Sequence, residues 1–237
     1  MDYGADFDDM DMHTSEGRLS CKVHESDGKR IIFLHGLGAT TKVWFRLVDH
    51  LPPSLEVWLV DMLWHGKSDY PENTDYAIGH QVQALSELIE AQDSRSTYIF
   101  GHSYGGWAAA QYAATHSLNG LILEAPAGLE DYVDVSGIKK RLENAFVGME
   151  NEKVIDAIID SYVKKEHHLT EEVLSRIRAP TMAIWGDRDT MVDMSYSGKI
   201  REWVNNSSIE IIPGAGHTPH YTNPKDVAAL ILDFVKQ

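Results

Sequence analysis

The chain has 237 residues, an apolar fraction of 43% and a formal charge of −15. This length allows one large α/β domain or two small ones, with enough apolar material for a substantial core. The acidic balance and the lack of any Lys/Arg-rich run argue against nucleic acid or an anionic membrane as partner, since both reward basic patches.

The first dozen residues, opening Met1-Asp2-Tyr3-Gly4-Ala5-Asp6, read as a solvated acidic arm without the basic-then-apolar order of a secretory signal. Alternation over Arg18–His24 predicts an antiparallel edge strand carrying Cys21, the single cysteine. One cysteine permits neither an intramolecular disulfide nor a cysteine-based metal cluster. Ile31–Leu34, Val57–Val60, Tyr98–Phe100, Leu121–Leu123, Met182–Trp185 and Ile209–Ile212 read as fully buried strands. Helical spacing appears between them, through Val82, Leu85, Leu88 and Ile89, and after the last of them, through Val227, Leu230, Ile231 and Phe234. Alternating strands and helices imply a mostly parallel sheet covered on both faces.

The rhythm breaks between 129 and 169, where two amphipathic stretches, near Ile138–Phe146 and Val154–Val163, replace the strands. An insertion of this length is read as a helical cap over the sheet's C-terminal edge, where open α/β sheets bind ligands. The expected organisation is a core of 1–128 and 170–237 interrupted by a cap of 129–169. No run approaches a membrane span, so the cytoplasm is the expected compartment, and the glycosylation-like matches at Asn205 and Asn206 are then coincidental.

Gly101-His102-Ser103-Tyr104-Gly105-Gly106 stands between a strand-like and a helix-like run and reads as a nucleophile elbow, a sharp turn that exposes the serine hydroxyl. Acyl transfer by serine needs a base, a group to orient it and donors for the oxyanion. For the base, His217 lies in the Gly-rich loop after the last strand, while His220 reads as a rival or a surface histidine. For the orienting carboxylate, Trp185-Gly186-Asp187-Arg188-Asp189 offers two aspartates. Asp189 is favoured, its turn able to carry the side chain toward the histidine loop, and Asp187 is expected to cap the turn or pair with Arg188. For the oxyanion, His35-Gly36-Leu37-Gly38 presents the Leu37 N–H beside that of Tyr104, and His35 is expected to bond within its own loop.

The order Ser103, Asp189, His217, with His35-Gly36 upstream, resembles the α/β-hydrolase superfamily over essentially the whole chain. Asp61-Met62-Leu63-Trp64-His65-Gly66-Lys67-Ser68 resembles that superfamily's Asp-x-x-Gly-His-Gly-x-Ser loop, with Trp64 where glycine is usual. That departure suggests an altered loop conformation or a bulky wall beside the site. The resemblance implies an α/β-hydrolase fold with about eight strands and the two-step chemistry of serine esterases, with no cofactor and no metal. It implies Ser103, Asp189 and His217 as the catalytic set, and Leu37 and Tyr104 as the oxyanion hole. Trp107 from below, and Phe146, Met149, Ile158, Ile159 and Tyr162 from the cap, are the expected substrate lining.

The expected substrate is a small to medium, hydrophobic ester, the chain acting as monomer or homodimer. Serine at the elbow argues against the superfamily's dehalogenase and epoxide-hydrolase branches, which use aspartate there. Carbon–carbon bond hydrolase, hydroxynitrile lyase, perhydrolase, aminopeptidase and slow-turnover ligand receptor stay open on the same residues.

Overall fold

The apolar runs become strands β3 (Arg30–Leu34), β4 (Glu56–Asp61), β5 (Thr97–His102), β6 (Gly120–Glu124), β7 (Thr181–Gly186) and β8 (Ser207–Ile212). They follow a hairpin of β1 (Asp8–Thr14) and β2 (Gly17–His24). This is a computed structural model describing residues 7–72, 74–93, 96–130, 135–136, 139, 152–164 and 167–236. One eight-stranded sheet results, in the order β1-β2-β4-β3-β5-β6-β7-β8, parallel from β4 through to β8.

The helices are α1 (Phe45–Val48), α2 (Ile78–Glu90), α3 (Tyr104–Ala113), α4 (Glu152–Val163), α5 (Glu171–Leu174), α6 (Ser197–Trp203), α7 (Pro219–Thr222) and α8 (Pro224–Val235). Because side chains alternate along a strand, each strand feeds two cores. Ile32, Leu34, Ile99, Leu121 and Leu123 pack with α2 and α3, through Leu85, Leu88, Ala108 and Ala109. Ile31, Phe33, Phe100, Ile122 and Ile184 pack on the other face with Leu47 of α1 and with Val227 and Ile231 of α8.

β3 pairs in parallel with both β4 and β5. The winding direction therefore reverses at β3, and at such a switch point, at the strands' C-terminal ends, open α/β sheets place their ligands. The oxyanion-loop and elbow motifs both sit there.

Two expectations at the sheet edges are corrected. The acidic arm is not loose, because its residues 8–14 form β1, which displaces β2 from the edge. Alternation explains it: Met10 and Met12 pack against the core, while Asp9 pairs with Lys22 at 2.8 Å and Asp11 with Arg18 at 2.7 Å. At the other end β8 is the edge strand and only partly buried, with Ile211 exposed.

The second predicted cap helix is α4. The first, Ile138–Phe146, lies outside the described residues apart from Lys139.

Candidate active site

Ser103 follows β5 and precedes α3 with φ 52° and ψ −113°, a backbone conformation costly for any residue with a Cβ. The turn can close because of its glycines. A Cβ on Gly105 would lie 2.3 Å from the Leu34 carbonyl oxygen, and one on Gly101 would lie 2.5 Å from that of Gly105. Backbone atoms cannot yield at such distances. Gly105→Ala is therefore expected to destabilise the fold by about 1–3 kcal/mol, read as a lowered urea midpoint. The Ser103 N–H donates to the Glu124 carbonyl at 2.9 Å, and its carbonyl accepts from Trp107 and Ala127 at 3.0 Å each. Small residues of α3, Gly105, Gly106 and Ala108 to Ala110, let the helix lie close on the sheet.

The loop after β8 carries His217, whose Nδ1 donates to Asp189 Oδ2 at 2.8 Å. The Asp189 side chain is fully buried and that of His217 is 10% exposed. The other Asp189 oxygen, Oδ1, accepts from the N–H groups of Met191 at 2.8 Å and Val192 at 3.1 Å. Asp187, expected to cap the turn or pair with Arg188, accepts from the Gly214 N–H at 2.7 Å and braces the histidine loop. A Cβ on Gly186 would collide at 2.3 Å with the Ala215 and Gly216 carbonyls, so glycine there lets the two loops touch.

His102, immediately before the serine, donates from Nε2 to the His217 carbonyl at 2.9 Å, tying the elbow to the histidine loop. Burial, reinforced by His220 and His217 alongside, holds His102 well below the ordinary imidazole range, so it is neutral.

Gly36, beside Leu37, lies against the elbow: a Cβ there would be 2.8 Å from His102 Nδ1 and 3.4 Å from Ser103 Cβ. Its turn closes with the Ala39 N–H on the Gly36 carbonyl at 3.1 Å. Tyr104, as the first residue of α3, has one of the N–H groups that a helix leaves without an internal partner. His35 is buried, donates from Nδ1 to the Gly36 carbonyl at 2.8 Å and accepts the Met62 N–H on Nε2 at 3.1 Å. Burial lowers its pKa to about 4, which keeps that acceptor lone pair at neutral pH.

Trp64 adopts φ 64°, a left-handed conformation that favours glycine, and is held there by packing. Its ring lies 5.0 Å from that of Tyr76 and its Nε1 donates to the Pro71 carbonyl at 3.3 Å. Gly66 (φ 56°) is obligatory in the same loop, since a Cβ would overlap the Asp61 carboxylate at 2.1 Å. That carboxylate accepts from Thr41 N–H at 2.7 Å and Lys67 N–H at 2.9 Å.

Trp107 and α4 meet. The Trp107 ring stands edge-on to Tyr162 at 5.1 Å, and its Nε1 donates to the His167 carbonyl at 2.7 Å. Tyr162 donates to Glu130 and accepts from the Gly128 N–H at 3.4 Å, fixing α4 to the loop after β6. Ile158 joins the core with Tyr162, whereas Ile159 is buried but belongs to neither core among the described residues. Phe146 and Met149 lie outside the described residues.

Sequence reasoning missed a buried group behind Ser103 and His217. His220, expected at the surface, is 1% exposed, and Glu124 is fully buried. The Glu124 carboxylate accepts the His220 backbone N–H at 2.8 Å and its Nδ1–H. His102, Glu124 and His220 offer possible metal ligands within 4.8 Å of one another, yet the carboxylate and His102 Nε2 are already engaged in hydrogen bonds. One signal was available: Glu124 is a carboxylate ending an otherwise apolar strand.

A family model described as "alpha/beta hydrolase fold" matches residues 29–157 and 154–224. The chain is 26% identical to the monoacylglycerol lipase abhd6-A of Xenopus laevis, over 94% of this chain and 78% of the relative. It is 23% identical to a 2-hydroxy-6-oxononadienedioate/2-hydroxy-6-oxononatrienedioate hydrolase of Cupriavidus pinatubonensis, over 93% of this chain and 91% of the relative. Among solved structures, an esterase from Exiguobacterium antarcticum superposes with a TM-score of 0.83 at 17% identity, covering 96% of this chain and 99% of that one. A serine hydrolase of carbazole degradation gives 0.82 at 21%, covering 97% and 99%. Among the described residues no helix is long and apolar enough to cross a membrane.

Proposed function

Since the chain belongs to the α/β-hydrolase family, we propose that it is a serine hydrolase cleaving carboxylic esters of small to medium, hydrophobic substrates through an acyl-enzyme. The observation that carries this reading is the buried Asp189–His217 pair, tied through His102 to a serine on a strained elbow. With Nδ1–H committed to Asp189, His217 presents Nε2 as the base. Ser103 Oγ attacks the ester carbonyl as its proton passes to that nitrogen, and the Leu37 and Tyr104 N–H groups receive the oxyanion. His217 returns the proton to the departing alcohol, and water, activated the same way, frees the acid. Each oxyanion donor supplies about 3 kcal/mol of transition-state stabilisation. Asp189 stays ionised throughout and stabilises the imidazolium.

We assign the apolar substrate wall to buried Trp107 and, on α4, Tyr162 and Ile159, with Phe146 and Met149 as further cap candidates, which suits hydrophobic acyl or alcohol groups. The cytoplasm is the compartment we propose, since the one thiol, Cys21, is buried and has no disulfide to form. Similarity to the Cupriavidus enzyme motivates a second reading, carbon–carbon bond hydrolysis on the same residues. A formal charge of −15 offers a dianionic substrate of that kind no long-range attraction, so esters come first. Turnover of p-nitrophenyl esters across acyl lengths, with fluorophosphonate labelling mapped to Ser103, tests the proposal. Labelling at another residue, or no turnover on any ester, refutes it.

A further inference from the structure

Glu124 ends β6 and touches both halves of the catalytic machinery proposed above. Its backbone carbonyl accepts the Ser103 N–H at 2.9 Å, which fixes the elbow. Its carboxylate accepts two N–H groups of His220, the backbone one at 2.8 Å and the ring Nδ1–H. His220 belongs to α7, which begins two residues after His217. The chain between them, Thr218-Pro219, is short, so the place of His220 constrains the backbone of His217.

A second link runs through His102. Its ring lies 4.7 Å from that of His220 and 4.8 Å from that of His217, and its Nε2–H holds the His217 carbonyl. The row Asp189, His217, His102, His220, Glu124 is thus closed at each end by a carboxylate. Asp189 orients the ring of His217, and Glu124 orients the loop that carries it.

We infer that Glu124 and His220 are positioning residues: a second carboxylate–imidazole pair that holds the His217 loop in register with the Ser103 elbow. Neither touches the reacting atoms, and the inference rests on the serine-hydrolase reading above. A pair whose side chains are 2% and 0% exposed is costly to bury. An apolar pair such as Phe and Leu would fill the space without ordering the loop. Two hydrogen bonds from one carboxylate to one residue fix both the backbone and the ring of His220, a rotational constraint that apolar packing does not impose.

The test compares His220→Phe, which keeps a ring but loses the Nδ1–H donor, with His220→Asn, which keeps a donor near the Nδ1 position. The base loosens in the first and is held in the second. His220→Phe is expected to lower kcat about 10²-fold with KM within about twofold, and His220→Asn to recover most of that loss. A folded His220→Phe with kcat within about threefold of the parent, or with the whole effect in KM, overturns the inference. Should His220→Phe not fold by circular dichroism, Glu124→Met takes its place. The thioether removes both carboxylate acceptors at similar volume, and an unchanged kcat in that folded variant is equally fatal.

A second readout does not depend on activity. In histidine-labelled protein, the ¹⁵N signals of the His217 ring are expected to move in His220→Phe and return in His220→Asn. An ester-inactive parent would refute the hydrolase reading while these signals still decide the coupling. Signals unmoved in both variants would refute the coupling while the parent's turnover still decides the hydrolase reading.

Discussion

Ser103→Ala will lower kcat for short p-nitrophenyl esters on the order of 10⁶-fold, with the melting temperature and KM close to those of the parent. The change removes one oxygen from a half-buried side chain and keeps the Cβ, so the elbow at φ 52° is no more strained than before. The three backbone hydrogen bonds of residue 103, to Glu124, Trp107 and Ala127, are untouched. Only the proposed nucleophile is lost. Residual turnover then measures what the proposed oxyanion donors and binding achieve with water as attacking group. Turnover above about a tenth of the parent's would place the nucleophile elsewhere and remove the basis of the mechanism. Losing the reaction with Ser103 while fluorophosphonate still labels the variant would point to a second reactive serine.

The parts of this site that were legible in the chain are those built from short segments with backbone requirements. The elbow needs glycines at 101 and 105 because carbonyls approach where a Cβ would stand, and such constraints print directly onto residue type. The loops at Leu37, Asp189 and His217 follow apolar runs, so alternation of strand and helix was enough to bring them to one sheet edge. What was not legible depends on contacts between distant segments. Glu124 and His220 are 96 residues apart, and no local pattern announces that one buries the other. Trp64 is a related case: its left-handed backbone, which favours glycine, is held by packing against Tyr76, a contact between segments that its own residue type does not announce. The acidic arm was misread because its charges were counted together. Read with period two, Asp9 and Asp11 fall on one face of β1 and Met10 and Met12 on the other.

Asp189→Asn is expected to cost about 10⁴ in kcat, and the hydrogen bonds of Asp189 say why. Oδ1 receives two backbone N–H groups, from Met191 and Val192, and only an oxygen can take that place. In the variant the amide oxygen must occupy it, which turns the NH₂ toward His217. His217 Nδ1 then faces a donor and has to become an acceptor, so the ring proton moves to Nε2, the nitrogen that should receive the Ser103 proton. The base is present, correctly placed and in the wrong tautomer. The ¹⁵N spectrum of the ring reports that change directly, alongside kcat. Because both backbone donors keep their acceptor, the melting temperature should fall little, which separates the effect from unfolding. Asp187→Asn is the internal comparison: among the described residues its Oδ1 accepts only the Gly214 N–H, and an amide oxygen serves as well. That variant should stay within about threefold of the parent. Equal losses in the two variants, or less than about a tenfold loss in Asp189→Asn, would show that Asp189 does not set the tautomer of His217.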